Sequence, residues 1–237
     1  MSLEIPKPIP EKNELPLNIS ESEPMSHQGS ESAVWKVRAL NKNNQDEQLA
    51  LKQSRKEEFA TEDEMKKSRE FYNFLKQNPE FGKFIPNTLH FKARETADSQ
   101  PRAYKLQKVI EGKRIDELTD KELYSDKAVA KQLLDFVDAA ISVFEKAEKA
   151  KMYTPDFYGE KLLANYLFNP RYSSNIIIAD KPNENGQRVF FVDVSPQIQQ
   201  LKGIGREFQK QIGSKIQIAR LKGWKKEIEK RLLEENS

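Results

Sequence analysis

The segment from Asp126 to Lys149 constrains this chain more than any other. Leu133, Val137, Ile141 and Phe144 fall at i, i+4, i+8 and i+11, with Leu134 beside them. That spacing predicts a long helix with one core-facing stripe. Such a helix has to bury its stripe, so the chain must supply other elements to cover it. With 237 residues, 37% of them hydrophobic, it can build one sizeable domain or two small ones. There is no cysteine, which excludes disulfides, thiolate nucleophiles and cysteine-ligated zinc; only His27 and His90 remain as imidazoles. Chemistry must rest mainly on Asp, Glu, Lys, Ser and backbone groups. The 40 basic and 37 acidic residues nearly cancel, to +3, and nucleic acid is not indicated. The basic stretch K-G-W-K-K-E-I-E-K-R near the end reads as a solvated helix face or as a phosphate-binding patch. No run of apolar residues is long enough for a membrane span, and the first residues lack the apolar centre of a secretory signal, so the expected location is cytoplasmic.

Around that helix the pattern changes along the chain. Residues 1–24 hold Pro6, Pro8, Pro10, Pro16 and Pro24 among polar residues, and are expected to be a disordered or extended arm. A-V-W-K-V-R-A-L and L-A-L-K-Q flank a polar turn and predict a hairpin. A helix is expected from about Thr61 to Gln77, ending before Asn78-Pro79, with Met65, Phe71, Phe74 and Leu75 on one side. F-I-P-N-T-L-H-F-K-A-R and R-A-Y-K-L-Q-K-V-I then read as two more strands, closed by the turn signal Glu111-Gly112. After it come a helical stretch at Asp116–Tyr124, the long helix, and a loop or short helix between Met152 and Arg171. A second hairpin follows, N-I-I-I-A and V-F-F-V-D about K-P-N-E-N-G-Q, and then C-terminal helix broken near Gly203-Gly205 and Gly213. The expected class is α+β, with a strand-rich half over 25–110 and a mostly helical half over 111–237.

Several polar residues sit at telling places in this order. Lys52 closes L-A-L-K, Glu70 lies in R-E-F-Y-N-F-L, Asp156 follows Pro155, Asn175 of S-S-N-I-I-I precedes an apolar strand, and Asp193 ends V-F-F-V-D. Each alone has a plain structural explanation as a solvated charge, a turn or a strand end. Together, in this order and on these elements, they resemble the protein-kinase-like superfamily. The resemblance implies a two-lobed fold with a strand-rich N-lobe and a reduced helical C-lobe, binding ATP and magnesium. H-Q-G-S-E-S-A-V resembles the glycine-rich turn over the phosphates, which implies that role for Gly29, Ser30 and Val34; His27 and Ser32 stand where the family has its outer glycines. L-A-L-K resembles V-A-I-K, giving Lys52 the phosphate-pairing role with Glu70, or Glu62 or Glu64, as its partner. Y-K-L-Q-K-V-I-E-G resembles the hinge, where Gln107, Lys108 and Val109 meet the base. T-P-D-F puts Asp156 in the place of the catalytic aspartate. Asn175, with Asn165 as the other possibility, and Asp193 of V-D-V-S, in place of D-F-G, are implied magnesium ligands.

Asp156 and Asn175 lie 19 positions apart, against about five in the family motif. About 44 residues follow Asp193, without an A-P-E motif, which implies a compact member of the superfamily: a bacterial-type sugar or lipopolysaccharide kinase, a RIO-type kinase, or a small kinase associated with tRNA modification. Three functions remain open. They are a phosphotransferase acting on a hydroxyl of a small molecule, sugar or protein, a pseudokinase that binds nucleotide or a partner without turnover, and an unrelated interaction module using the basic C-terminal helix.

Overall fold

The computed structural model describes residues 9–10, 18–26, 32–40, 46–54, 62–94, 102–150, 170–192, 194 and 214–234. Its class is α+β. The chain forms two compact units, Met1–Glu70 with Asn87–Val109, and Phe71–Pro86 with Ile110–Ser237. One division falls inside the first helix, so Phe71–Pro86 belongs with the later, helical part of the chain and not with the strands on either side of it in sequence.

The first unit is built on a six-stranded sheet. Strands β1 (Ile9–Pro10), β2 (Asn18–Ser26), β3 (Ser32–Leu40), β4 (Asp46–Ser54), β5 (Thr88–Arg94) and β6 (Arg102–Lys108) lie in the order β1-β5-β6-β4-β3-β2. Every neighbouring pair is antiparallel. Side chains alternate across such a sheet, so one face can be apolar and the other polar. Val37, Leu49, Leu51, Phe91, Ala93, Tyr104 and Leu106 form the apolar face, with Trp35 packed against them. The Phe91 and Tyr104 rings stack at 5.4 Å, and Gln53 donates to the Tyr104 hydroxyl at 3.0 Å, which satisfies the polar ends buried there. Two pieces of the expected arm are strands. N-I-S-E-S-E-P-M-S carries no apolar alternation and contains Pro24, yet it pairs with β3 from Asn18↔Leu40 to Ser26↔Val34. The proline is tolerated because β2 is an edge strand, and Pro10 in β1 sits on the opposite edge.

In the second unit, the end of α1 (Glu62–Lys76) is locked by the turn after it. Asn78 Oδ1 accepts the amides of Glu80 and Phe81, and Lys76 Nζ donates to the Gly82 and Ile85 carbonyls. Burial lowers the Lys76 pKa. The helix stops before Asn78-Pro79, as the sequence predicts. A short helix α2 (Asp120–Tyr124) starts in a capping box between Thr119 and Glu122. The long helix is α3 (Lys127–Lys149), with Asp126 as N-cap accepting from the Ala128 and Val129 amides. A three-stranded sheet, β7 (Gly112–Arg114), β8 (Ile176–Ala179) and β9 (Val189–Phe191), and the C-terminal helix α4 (Ser214–Glu234) complete the unit.

The stripe of α3 differs in one respect from its sequence reading. Val129, Leu133, Phe136, Val137, Ala140, Val143, Phe144 and Ala147 are all buried, whereas Leu134 and Ile141 lie at the margin of the core. The stripe is wider than the four expected residues because elements pack on more than one side of the helix. Phe136 meets Phe81 and Phe84, at 5.6 and 5.2 Å between ring centres, and Phe191 at 6.2 Å. On α4, Ile218, Leu221, Trp224 and Ile228 supply a buried helical face, and Trp224 Nε1 donates to the Tyr124 hydroxyl at 3.2 Å. The lysines of α4 reach acids of α3, through Lys225–Asp138 at 2.7 Å and Lys222–Glu145 at 3.1 Å. Among the described residues, no helix is long and apolar enough to cross a membrane.

Replacing Phe136, which is fully buried, by Ala leaves a ring-sized cavity in this aromatic cluster. Urea unfolding of the variant is expected to show a loss of about 3–5 kcal/mol.

Candidate functional site

Lys52 lies on β4, directly opposite Val34 on β3 and Lys105 on β6. Its neighbour Leu51 points into the apolar core, so Lys52 points to the other face. Ala50, two residues earlier, shares that face and lies opposite Gln107. Lys52 is half-buried, Val34 is half-buried and Ala50 is buried. The face therefore carries a lysine beside a small apolar surface made by Val34 and Ala50. The link between β2 and β3, to which the resemblance gives the phosphate-covering role, contains Gly29 and Ser30, which lie outside the described residues.

Glu70 is exposed on α1 and pairs with Lys66 one turn earlier, at 4.0 Å. A surface pair of this kind contributes about 0.3–0.5 kcal/mol. The Lys52–Glu70 pair that the resemblance implies is not among the ion pairs of the described residues. Of the expected hinge, Gln107 and Lys108 end β6, the Thr88 hydroxyl donates to Gln107 Oε1 at 3.4 Å, and the Val109 amide donates to the Gln48 carbonyl at 3.2 Å. The β4–β6 ladder thus continues to the last residue of the first unit.

In the second unit, Asn175 immediately precedes β8 and is buried. Its amide donates to Ser173 Oγ at 3.1 Å, and its carbonyl accepts from the Val192 amide at 2.9 Å. The β8–β9 pairing is Ile176↔Phe191, Ile177↔Phe190 and Ile178↔Val189, so Asn175 and Val192 close the open end of the hairpin. Asp193 is the residue after Val192; it, Asp156 and Asn165 lie outside the described residues. Among the described residues, no group of three or more histidines and carboxylates is placed to hold a metal ion.

Residues that carry no sequence motif hold this hairpin in place. Its turn, K-P-N-E-N-G-Q, closes through Asn183, which accepts the Asn185 and Gln187 amides on Oδ1, and through Gly186 at φ +74°, a conformation that favours glycine. Gln132 of α3 then clips it: its Oε1 accepts the Arg188 and Val189 amides, and its Nε2 donates to the Gly186 carbonyl at 2.8 Å. Arg188 reaches from the Ala179 carbonyl to the Asp126 carboxylate, 2.5 Å away. Across the sheet, Gly112 approaches β8 so closely that a Cβ there would lie 2.2 Å from the Ile178 carbonyl oxygen. Upstream of Asn175, the buried Arg171 donates to the carbonyls of Ile115 and Leu118 and pairs with Asp120 at 3.2 Å. Nothing local in N-P-R-Y marks Arg171, or in K-Q-L-L marks Gln132, because their partners lie more than fifty positions away.

A small pocket of about 110 Å³ in this unit is lined by Lys113, Glu122, Asp126, Asp180 and Arg188 among others, and no residue expected from the sequence lines it. Four of its charges are met in the pairs Lys113–Glu122 and Arg188–Asp126. The chain matches no protein-family model and no curated protein.

Burial pushes the Asp126 carboxyl up, but the Val129 amide, the Arg188 guanidinium and the Ala128 amide outweigh it and hold the group below the ordinary aspartate value. Folding therefore favours the ionised form. Its contribution is complete above the unfolded pKa of about 4 and is lost as pH falls through the lower folded value. Asp126→Asn keeps a capping oxygen and removes the charge. In urea unfolding the variant is expected to be less stable than the wild type at pH 7, with the difference shrinking toward zero below about pH 4.

Proposed function

We propose that this chain is an ATP- and magnesium-dependent phosphotransferase with a two-lobed, protein-kinase-like fold, acting on a hydroxyl of a small molecule, a sugar or a protein. One observation carries the reading. Lys52 stands on the third strand of the β2-β3-β4 meander, on one face with Val34 and Ala50, and the link before β3 contains Gly29. A lysine on the third strand behind a glycine-bearing phosphate turn is the kinase arrangement. The order of Asn175 and Asp193 about the second hairpin supports it.

In this reading the Lys52 ammonium offsets charge on the nucleotide phosphates, backbone groups at Gly29 and Ser30 cover them, and Gln107, Lys108 and Val109 border the base. The Asn175 amide oxygen and the Asp193 carboxylate form the oxygen-rich ligand set that suits magnesium. The metal supplies neutralisation of charge on the transferring phosphoryl group. Asp156 accepts the proton of the acceptor hydroxyl as its oxygen bonds to the γ-phosphorus. The bond from that phosphorus to the bridging oxygen breaks, and ADP leaves. A cytoplasmic location goes with this substrate.

A pseudokinase is the second reading. It is favoured by the single glycine in H-Q-G-S-E-S and by the 19 positions between Asp156 and Asn175. The interaction module built on the basic C-terminal helix is weakened by the pairing of Lys222 and Lys225 with acids of α3.

The test is calorimetric titration with ATP, with and without magnesium, on the wild type and on Asp193→Ala, together with release of the γ-phosphate. Magnesium-dependent binding that falls about tenfold or more in Asp193→Ala, with phosphate transfer or release, is the expected result. Binding without any loss of the γ-phosphate supports the pseudokinase. No binding by the folded protein sinks both.

A further inference from the structure

The turn of the second unit's hairpin carries a chemistry that its packing role does not use. Asn185 is followed by Gly186, and among the chain's asparagines it alone precedes a glycine. Both residues are exposed, and the Asn185 carboxamide makes no hydrogen bond among the described residues. Gly186 has no Cβ, and its surroundings are open: a Cβ there would meet no atom within 4 Å. The Gly186 nitrogen can therefore reach the carbonyl carbon of the Asn185 side chain with no side chain of its own in the way.

The reaction open to such a pair needs only water. The Gly186 nitrogen gives up its proton and bonds to the carbonyl carbon of the Asn185 carboxamide. The carbon–nitrogen bond of that carboxamide breaks, its nitrogen takes up a proton, and ammonia leaves behind a five-membered succinimide. Water then adds to one of the two ring carbonyls as the ring opens. Attack on the side-chain carbonyl gives aspartate; attack on the main-chain carbonyl gives isoaspartate, whose backbone runs through the former side chain. Nothing is oxidised or reduced, and one water enters for each ammonia that leaves. Asparagine counts among the thermolabile residues.

The closed turn opposes the attack. The Gly186 amide donates to the Asn183 carbonyl at 2.9 Å, and the Asn183 amide donates to the Gln187 carbonyl at 3.0 Å, so the attacking nitrogen is engaged. Gln132 holds the same turn from outside, with its Nε2 on the Gly186 carbonyl at 2.8 Å. The nitrogen is released when the turn opens locally, and the bonds of Gln132 set how often that occurs. We infer that Asn185 is a site of covalent modification, converted by water to aspartate and isoaspartate at a rate governed by the Gln132 clip. The extra backbone methylene of isoaspartate displaces the Gly186 carbonyl from Gln132, so the product weakens the clip that restrained its formation. The inference stands apart from the phosphotransferase reading and uses the second unit alone.

The test incubates the full-length protein in warm, mildly alkaline buffer and follows conversion by mass spectrometry of the tryptic peptide spanning 172–188. That peptide holds Asn175, Asn183 and Asn185 together, because Lys181 precedes a proline. Wild type, Gln132→Ala, Gln132→Glu and Phe136→Ala are compared with the same peptide made synthetically. Gln132→Glu keeps an oxygen for the Arg188 and Val189 amides and loses the donor to Gly186, so it tests the clip should Gln132→Ala fail to fold. Phe136→Ala lowers the stability of the unit without touching the turn. The expected result is conversion of Asn185 to both products in the wild type, with Asn175 and Asn183 unchanged. Loss of the clip is expected to speed it about threefold or more, toward the rate of the free peptide, while Phe136→Ala leaves the rate as in the wild type. A wild-type protein that stays unconverted while the free peptide converts overturns the inference. So do equal conversion at Asn183, Gln132 variants no faster than the wild type, and an equal acceleration in Phe136→Ala.

Discussion

The ring of Phe136 holds the second unit together. It contacts Phe81 and Phe84 from the turn after α1, and Phe191 from β9, while its own helix packs against α4. Burying one aromatic side chain against three others fixes elements that are far apart in sequence, and aromatic pairs in tilted or edge-on contact add to the area they bury. Phe191 is the cross-strand partner of Ile176, the residue after Asn175. Hydrophobic packing thus helps to place Asn175, beside the hydrogen bonds of its own backbone. The polar contacts of Gln132 and Arg188 act at the other end of the same hairpin and settle how its turn meets α3.

Charge is arranged within the second unit in a way that its totals conceal. The helix α4 that carries the basic tail lies along the acids of α3, with Lys215 near Glu148 in addition to the pairs at Glu145 and Asp138, and Arg231 lies near Asp120 of α2. Pairs this exposed contribute little each, and they leave the tail with less free charge. On the first unit's sheet, Lys52 and Lys105 occupy directly opposed positions of one face.

Much of the fold is legible in the sequence where side-chain periodicity is strong. The hairpin of β3 and β4, the strands β5 and β6, α1, α3 and the β8–β9 hairpin all fall where apolar alternation or helical spacing puts them. β2 is not legible, because an edge strand can be polar and contain proline when its partner supplies the hydrophobic face. The width of the α3 stripe is not legible either: Phe136, Ala140 and Val143 are buried by elements whose placement the helix sequence does not encode. Of the candidate site, Lys52 and Ala50 share a face simply through the two-residue period of strands. That Val34 and Lys105 lie opposite Lys52 requires the register of β4 with β3 and β6, which a single strand cannot show. At Glu70 the sequence position alone does not show the ion pair with Lys66 one turn earlier.

Gly112 gives exposure a different meaning. It belongs to a three-residue strand whose members are all solvent-exposed, and Lys113 and Arg114 there extend freely to solvent or to acids nearby. Yet the backbone of β8 passes so near its Cα that even one methyl group has no room. Solvent access and freedom to vary are thus separate properties within three consecutive residues. Among descendants of this sequence, drift should be broad at 113 and 114 and nearly absent at 112, a boundary drawn by a carbonyl oxygen on the neighbouring strand.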